Sequence, residues 1–181
     1  MPALILIVFI DLLGFGLIIP ILPFYGLHFG ASPGVVTLLM ASYSLMQFIA
    51  APIIGSLSDQ YGRRKVILIS LVGTCAAYVV MAHADSLTML FAARAFAGLF
   101  AGNIAAAQAY IADITTPENR ARGMGLFGAA FGLGFIFGPI IGGVLAGSGG
   151  GEVNFQIAPL FAAGLSAVAA ALTVLILKES K

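Results

Sequence analysis

The stretch GSLSDQYGRRK, residues 55–65, places one acid and three consecutive cations between two long apolar runs. Only 8% of the chain is charged and 61% is hydrophobic, so the run Arg63, Arg64 and Lys65 is unusual in its context. Short loops rich in Lys and Arg stay on the cytoplasmic side of a membrane. The stretch therefore predicts a cytoplasmic loop between two spanning helices, with Gly55 and Gly62 flanking a tight turn.

The composition indicates a membrane protein made of several spanning helices. Mean hydropathy is +1.10 and the chain contains 23 glycines, which lies outside the globular range. Net charge is only +1 and no basic tail is present, so nucleic acid is not an expected partner. The single cysteine, Cys75, excludes an internal disulfide and a cysteine metal cluster. We expect neither a metal nor an organic cofactor.

A membrane-spanning helix needs roughly 20 apolar residues, and the chain divides into six such segments. They cover residues 3–24, 35–57, 66–84, 87–112, 123–146 and 156–177, which we call segments 1 to 6. The prediction is a single all-α domain over residues 1–181 that crosses the lipid bilayer six times. Three segments followed by three of similar length indicate a 3+3 inverted repeat.

The orientation in the membrane follows from the positions of the cations. Between the segments, all of them fall on one face, namely Arg63, Arg64, Lys65, Arg120, Arg122, Lys178 and Lys181. Both termini are therefore predicted to be cytoplasmic, in a multi-pass protein of the cell (inner) membrane.

Two charged residues lie within the predicted spans. Asp11 is about eight residues into segment 1, roughly 12 Å deep at 1.5 Å per residue, and Arg94 reaches a similar depth in segment 4. A carboxylate at that depth costs at least ~2.5 kcal/mol unless it faces water, finds a partner or binds a proton. We interpret Asp11 as a proton acceptor and Arg94 as its electrostatic partner. The alternative is that Asp11 only bonds a neighbouring helix.

Helical phase gives candidate neighbours for these two charges. At 100° per residue, Gln108 shares a stripe with Arg94, whereas Asn103 points to the opposite face and is expected to bond another helix. The same reasoning from Asp11 and Arg94 predicts a largely apolar cavity lined by Phe15, Ile18, Leu22 and Gln108.

Segment 5 contains glycines spaced by four. Gly134, Gly138 and Gly142 form a smooth ridge on which another helix can pack closely, and Pro139 and Gly143 lie beside it.

Five motifs resemble transporters of the major facilitator superfamily, and the helix 1 and helix 5 motifs resemble its drug:proton antiporter branch, which includes tetracycline exporters. GSLSDQYGRRK resembles the signature loop between helices 2 and 3. DLLGFGLIIPILP (11–23) resembles the helix 1 motif, GLGFIFGPIIGG (132–143) the helix 5 antiporter motif, Arg94 with Ala97-Gly98 the helix 4 motif, and ADIT (112–115) the loop into helix 5. Ala97 stands where the family often has Gln.

The resemblance implies a function for these motifs. Gly55, Asp59, Gly62, Arg63 and Arg64 would form a conformational-switch loop, and segment 5 would carry an antiporter-type motif. The implied activity is proton-coupled drug or multidrug efflux of a small amphipathic substrate, driven by the proton gradient.

All the matched motifs belong to the N-terminal half of the family, and six helices provide one wall of a transport pathway. The expected partner is a second copy, with helix 2 of one copy against helix 5 of the other. Asp59 would then meet the helix start near Arg122 of its partner. The alternative is an N-terminal fragment or engineered half that folds but does not transport alone.

An enzyme is not expected. GLSA (164–167) is similar to the serine motif of rhomboid proteases, but Ala167 replaces its glycine. The two histidines, His28 and His83, fall in or beside the outer loops rather than near Ser166. A phosphate-binding glycine loop is also missing from the sequence, which gives ATP-driven transport no support.

Overall fold

The computed structural model describes residues 1–147 and 154–180 of the chain. Lys181, one of the predicted cytoplasmic cations, lies outside the described residues. Seven helices follow one another: α1 (Pro2–His28), α2 (Pro33–Tyr61), α3 (Arg63–Ala82), α4 (Leu87–Leu99), α5 (Asn103–Ile114), α6 (Pro117–Leu145) and α7 (Ile157–Ile176).

These helices form six spans that are long and apolar enough to cross a membrane. α4 and α5 together form one span, Leu87–Ile114, which corresponds to segment 4. α6 and α7 correspond to segments 5 and 6. The prediction of an all-α protein with six membrane-spanning segments is confirmed, although α1, α2 and α6 extend beyond the predicted ends.

The extension of α2 changes the role of one predicted turn residue. α2 continues through Gly55 to Tyr61, so the prediction that Gly55 flanks the turn is wrong. A single glycine within a long apolar helix is tolerated, because the neighbouring turns keep the backbone hydrogen-bonded. Gly62 alone makes the turn, with a φ of 99° that favours glycine.

Segment 4 is interrupted by a short break between α4 and α5, which we call the α4–α5 break (residues 100–102). The N–H groups of Phe100 and Ala101 donate to the carbonyls of Ala97 and Gly98, each at 3.2 Å. These bonds span three residues instead of four and tighten the last turn of α4. The helical phase of Arg94 is therefore not carried through to α5.

α1 lies at the centre of the bundle, between α6 and α7. The other main contacts are α3 with α7, α3 with α4, and α2 with α4. If segments 1 to 3 are exchanged with segments 4 to 6, the pair α1–α6 becomes α4–α2, and α1–α7 becomes α4–α3. The packing thus has the symmetry that a 3+3 inverted repeat requires.

The glycine ridge of segment 5 lies directly against α1. A Cβ placed at Gly138 would come within 2.6 Å of the Gly16 Cα, and one at Gly142 within 2.6 Å of the Leu17 carbonyl oxygen. The two backbones are therefore in contact, as small-residue ridges permit. Gly143 has no atom near its Cβ position, so the ridge does not include it.

Candidate functional site

Asp11 is buried in the middle of α1, with 8% of its surface exposed. Its Oδ2 accepts a hydrogen bond from Asn103 Nδ2 at 2.5 Å, whereas its Oδ1 has no hydrogen-bond partner among the described residues. A cavity of about 10 Å³ lies beside the carboxylate, walled mainly by aliphatic side chains such as Ile7 and Leu71. The space is too small for any substrate, so the carboxylate is occluded in this structure.

Arg94 is also buried, with 4% of its surface exposed. Its guanidinium lies over the ring of Tyr43 with 4.5 Å from Cζ to the ring centroid, a cation–π arrangement. Its Nε and Nη1 groups have no hydrogen-bond partner within residues 1–147 and 154–180. A buried guanidinium without a carboxylate is costly, and the ring provides part of the compensation.

Asp11 and Arg94 lie in one buried cluster but form no ion pair with each other. The two tyrosines of the cluster, Tyr43 and Tyr78, each interact electrostatically with both charges. Within the part of the chain that the structure describes, one carboxylate oxygen and two guanidinium nitrogens are thus buried without hydrogen-bond partners. Buried polar groups without hydrogen-bond partners persist in a membrane interior chiefly where they serve a function.

Asn103 is the partner of Asp11 that the sequence did not single out. The sequence predicted only that Asn103 bonds another helix, because a continuous segment 4 would turn it away from Arg94. The α4–α5 break removes that phase relation and makes Asn103 the first residue of α5. The sequence feature from which the break could have been predicted is the dipeptide Gly102-Asn103 within an apolar run.

Two of the predicted lining residues are in the core instead. Ile18 and Leu22 are each 1% exposed and pack with Tyr78 and Leu90. They were placed by helical phase from Asp11. Asp11 is itself turned into the bundle, so the residues on its stripe are buried with it, and this prediction is corrected.

The other two predicted lining residues, Phe15 and Gln108, lie on surfaces that remain accessible. Phe15 is half-buried, with its ring centroid 5.1 Å from that of Tyr43 and 5.8 Å from that of Phe135. Gln108 is exposed and lines a groove of about 390 Å³ between α2 and α5, which we call the α2–α5 groove. Its other walls include Ser44, Gln47, Phe48 and Gly102, and it carries no ionisable side chain.

The switch-loop residues form a charged cluster at one end of the bundle. Arg63 is 7% exposed and donates from Nε to Asp113 at 3.0 Å and from Nη2 to Asp59. The predicted partner of Asp59 was a second copy, yet within one chain it already pairs with Arg63. The sequence noted Asp113 only as part of the loop motif and missed this pairing.

Arg64 closes the end of α7. Its Nε and Nη2 donate to the carbonyls of Thr173 and Val174 at 3.2 and 2.6 Å, where the helix leaves carbonyls unpaired. Glu179 accepts from the Arg64 backbone N–H at 3.1 Å and lies against Gly62, so a side chain at residue 62 would collide with it.

Ser166 does not form a nucleophile site in the described structure. It is fully buried, and its Oγ has no hydrogen-bond partner. His28 and His83 are exposed, and His83 Nδ1 contacts the carbonyl of Val79 instead.

The sequence of residues 4–181 matches the profile of the Major Facilitator Superfamily. The chain belongs to this superfamily. The resemblance that the five motifs indicated is thereby confirmed, and the six-helix bundle is that of a membrane transport family rather than of an enzyme.

Individual relatives and a solved structure support the same family assignment. The chain is 41% identical over 176 residues to the tetracycline resistance protein, class C, of Escherichia coli, covering 94% of this chain and 43% of that protein. It is 34% identical over 174 residues to multidrug resistance protein 2 of Bacillus subtilis (strain 168), covering 96% and 42%. The crystal structure of the human organic anion transporter MFSD10 superimposes with a TM-score of 0.83 at 29% identity, covering 99% of this chain and 47% of that one. The chain thus spans less than half the length of the relatives it matches.

Proposed function

We propose that this superfamily member exchanges protons for a small amphipathic drug across the cell (inner) membrane, with Asp11 as the proton-binding group. The observation that supports it best is the pair of incompletely satisfied buried charges, Asp11 and Arg94. The similarity to tetracycline and multidrug resistance proteins supports the substrate class.

The two charges have different parts in the proposed exchange. Burial favours the neutral, protonated form of Asp11, whereas the hydrogen bond from Asn103 favours the ionised form. Arg94 does not release its proton. Protonation of Asp11 therefore leaves the cluster with a net positive charge, which disfavours a bound cation. Ionised Asp11 balances Arg94 and favours one.

The α2–α5 groove is the proposed wall for the substrate. It offers amide and hydroxyl groups from Gln47, Gln108 and Ser44 beside the ring of Phe48. Those groups suit the polar but uncharged parts of an amphipathic drug. Its floor is the α4–α5 break, which connects it to Arg94 on one side and to Asn103 on the other.

A second bundle is needed to enclose a pathway, and we assign it to a second copy of the chain. α2 and α6 are the least buried spans. They expose large apolar side chains, among them Phe48 at 79%, Leu38 at 63%, Val144 at 70% and Ile136 at 59%. In the proposed dimer α2 of one copy packs on α6 of the other, with Asp59 near Arg122 and the basic ends in the cytoplasm.

A second candidate function follows from the length of the matched relatives. The matched relatives are more than twice as long as the matched region. In that case the second bundle belongs to another polypeptide segment, and the isolated chain folds without transporting.

Uptake of tetracycline into proteoliposomes under an imposed pH gradient tests the proton coupling. Asp11→Asn should abolish gradient-driven uptake and leave the protein folded. Asp85→Asn, a matched change of an exposed acid at the start of α4, should transport like the wild type. Gradient-driven uptake by Asp11→Asn at the wild-type rate would refute the assignment.

The dimer is tested separately by cross-linking in membranes and by charge reversal. If Asp59→Arg and Arg122→Asp each weaken the dimer, the double variant should recover part of it. A monomer at every protein-to-lipid ratio would favour the second candidate instead.

A further inference from the structure

Asn103 combines two structural roles that are usually separate. It donates the hydrogen bond to Asp11, and it is the first residue of α5 after the α4–α5 break. It is 9% exposed, so its carboxamide has little access to water as an alternative partner. The carboxamide that contacts the proposed proton-binding group therefore belongs to the residue that directly follows the α4–α5 break.

The α4–α5 break is held tightly against α2. Gly98 lies against the backbone carbonyl of Tyr43, and Gly102 lies against the side chain of Ile54, without room for a Cβ at either glycine. The carbonyl of Ala101 faces Gln47 Nε2 at 3.5 Å. A displacement of Asn103 consequently changes contacts between α4, α5 and α2, and with them the floor of the α2–α5 groove.

The hydrogen-bonding chemistry of Asp11 changes when it binds a proton. An ionised carboxylate only accepts, so it pairs with the N–H₂ group of Asn103. A protonated carboxyl group has one O–H donor and still accepts through its other oxygen. A proton on Oδ2 requires the carboxamide to present its oxygen, whereas a proton on Oδ1 leaves the bond from Asn103 to Oδ2 in place but weakens it, because the acceptor is no longer charged. The protonation state of Asp11 and the hydrogen bond from Asn103 are thus linked.

We propose that Asn103 is a positioning residue that holds Asp11 ready for its proton and transmits its protonation state to the α4–α5 break. The inference rests on the proposed function, in which Asp11 takes up the transported proton. It adds the route by which protonation of Asp11 affects the substrate groove, through α5 instead of through a direct contact with Arg94.

The ionisable groups around Asp11 are the same with or without Asn103. α2 contributes Tyr43, α3 contributes Tyr78 and α4 contributes Arg94. α5 carries Tyr110 and Asp113, which bond at the end of the bundle with Lys178, Ser180 and Arg63. Among the ionisable residues of α6, all lie in its first two turns, and α7 contains none between Ile157 and Ile176. Changing Asn103 therefore removes a hydrogen bond without removing a charge.

Infrared spectroscopy of the carboxyl C=O stretch measures this link without any transport. A pH titration of the purified protein, with Asp11→Asn to assign the band, gives the pH at which Asp11 is half protonated. Asn103→Leu should move that pH upward by about one unit, because the donor that stabilises the ionised form is lost. Thr173→Val, which removes a buried hydroxyl bonded only within α7, should not move it.

Asn103→Ala provides the same test if the leucine variant does not fold, and the shift should have the same direction. An unchanged midpoint in a folded Asn103 variant overturns the positioning role.

Hydrogen exchange tests the transmission step. After correction for intrinsic rates, amides of residues 99–104 should change their exchange as Asp11 becomes protonated, and Asp11→Asn should remove that pH dependence. Equal pH dependence in the wild type and Asp11→Asn overturns the link to the break. These results do not depend on drug uptake. A failure of drug uptake would refute the proposed function and not the role of Asn103.

Discussion

The guanidinium of Arg94 lies over the ring of Tyr43, with 4.5 Å between its Cζ and the ring centroid. The ring of Phe15 on α1 also contacts Tyr43, at 5.1 Å between ring centroids. The positive charge is therefore kept in place by an aromatic face, while the Nε and Nη1 groups of Arg94 find no hydrogen-bond partner in the described part of the chain. Arg94 is thus held by an aromatic ring that also interacts electrostatically with Asp11, without a salt bridge between the two charges.

Replacing the ring under Arg94 should destabilise the bundle. We expect Tyr43→Leu to lower the free energy of unfolding by about 2 kcal/mol, because a desolvated cation–π contact of roughly that size is lost. Tyr43→Phe keeps a π face and should lose less than half as much. Thermal unfolding in detergent measures both. Equal destabilisation by the two variants would show that the hydroxyl, and not the ring face, matters.

The contact between α1 and α6 gives a prediction with an internal control. Gly138→Ala should destabilise the protein by about 1–3 kcal/mol, since the new Cβ would meet the Gly16 backbone and force the helices apart. Gly143→Ala, five residues further on the same helix, meets no atom and should be close to neutral. Thermal unfolding of the two variants in the same detergent decides the matter. A neutral Gly138→Ala would mean that α6 does not sit as close to α1 as described.

The charged cluster around Arg63 should respond unequally to loss of its two acids. The side chain of Asp113 is 15% exposed and that of Asp59 is 61% exposed. Removing the buried partner leaves Arg63 with less compensation from water, so Asp113→Asn should destabilise more than Asp59→Asn. Arg63→Lys should not preserve the stability of the cluster, because one ammonium cannot replace two separate guanidinium contacts. Protease susceptibility of the bundle end compares the variants, and the reverse order of the two acids would contradict this account.

Drug binding should depend on the amides of the α2–α5 groove. Gln108→Leu is expected to weaken tetracycline binding about fivefold, the effect of losing one hydrogen bond of roughly 1 kcal/mol. Gln60→Leu changes the same chemical group on α2 outside the groove and should bind like the wild type. Equilibrium binding to the purified, assembled protein measures both. If Gln60→Leu and Gln108→Leu behave alike, the groove is not the binding wall.

The sequence predicted the number and type of the spans because hydropathy over twenty residues depends little on the fold. The common depth of Asp11 and Arg94 in the membrane stays a prediction from the rise per residue. The glycine spacing of four in segment 5 indicated a packing face, and the structure shows that this face lies on α1.

The sequence could not predict what depends on rotation about a helix axis. One tight turn at Phe100 and Ala101 changes the phase of everything after it, so the predicted position of Asn103 relative to Arg94 does not hold. The prediction that Asn103 bonds another helix is confirmed, but its partner, Asp11, was not predicted. Ile18 and Leu22 failed for a related reason, because the direction of the Asp11 stripe depends on how α1 packs at the centre. Periodicity gives a face but does not say which neighbour covers it.

The central claim is that one carboxyl group, Asp11, exchanges its proton against the drug. Linkage requires that a drug favouring ionised Asp11 releases protons when it binds. The direct measurement adds tetracycline to the purified, assembled protein in weakly buffered solution and follows released protons with a pH-sensitive dye. We predict about one proton per bound drug for the wild type and none for Asp11→Asn that still binds tetracycline. Equal proton release from the two proteins at equal occupancy would contradict the account.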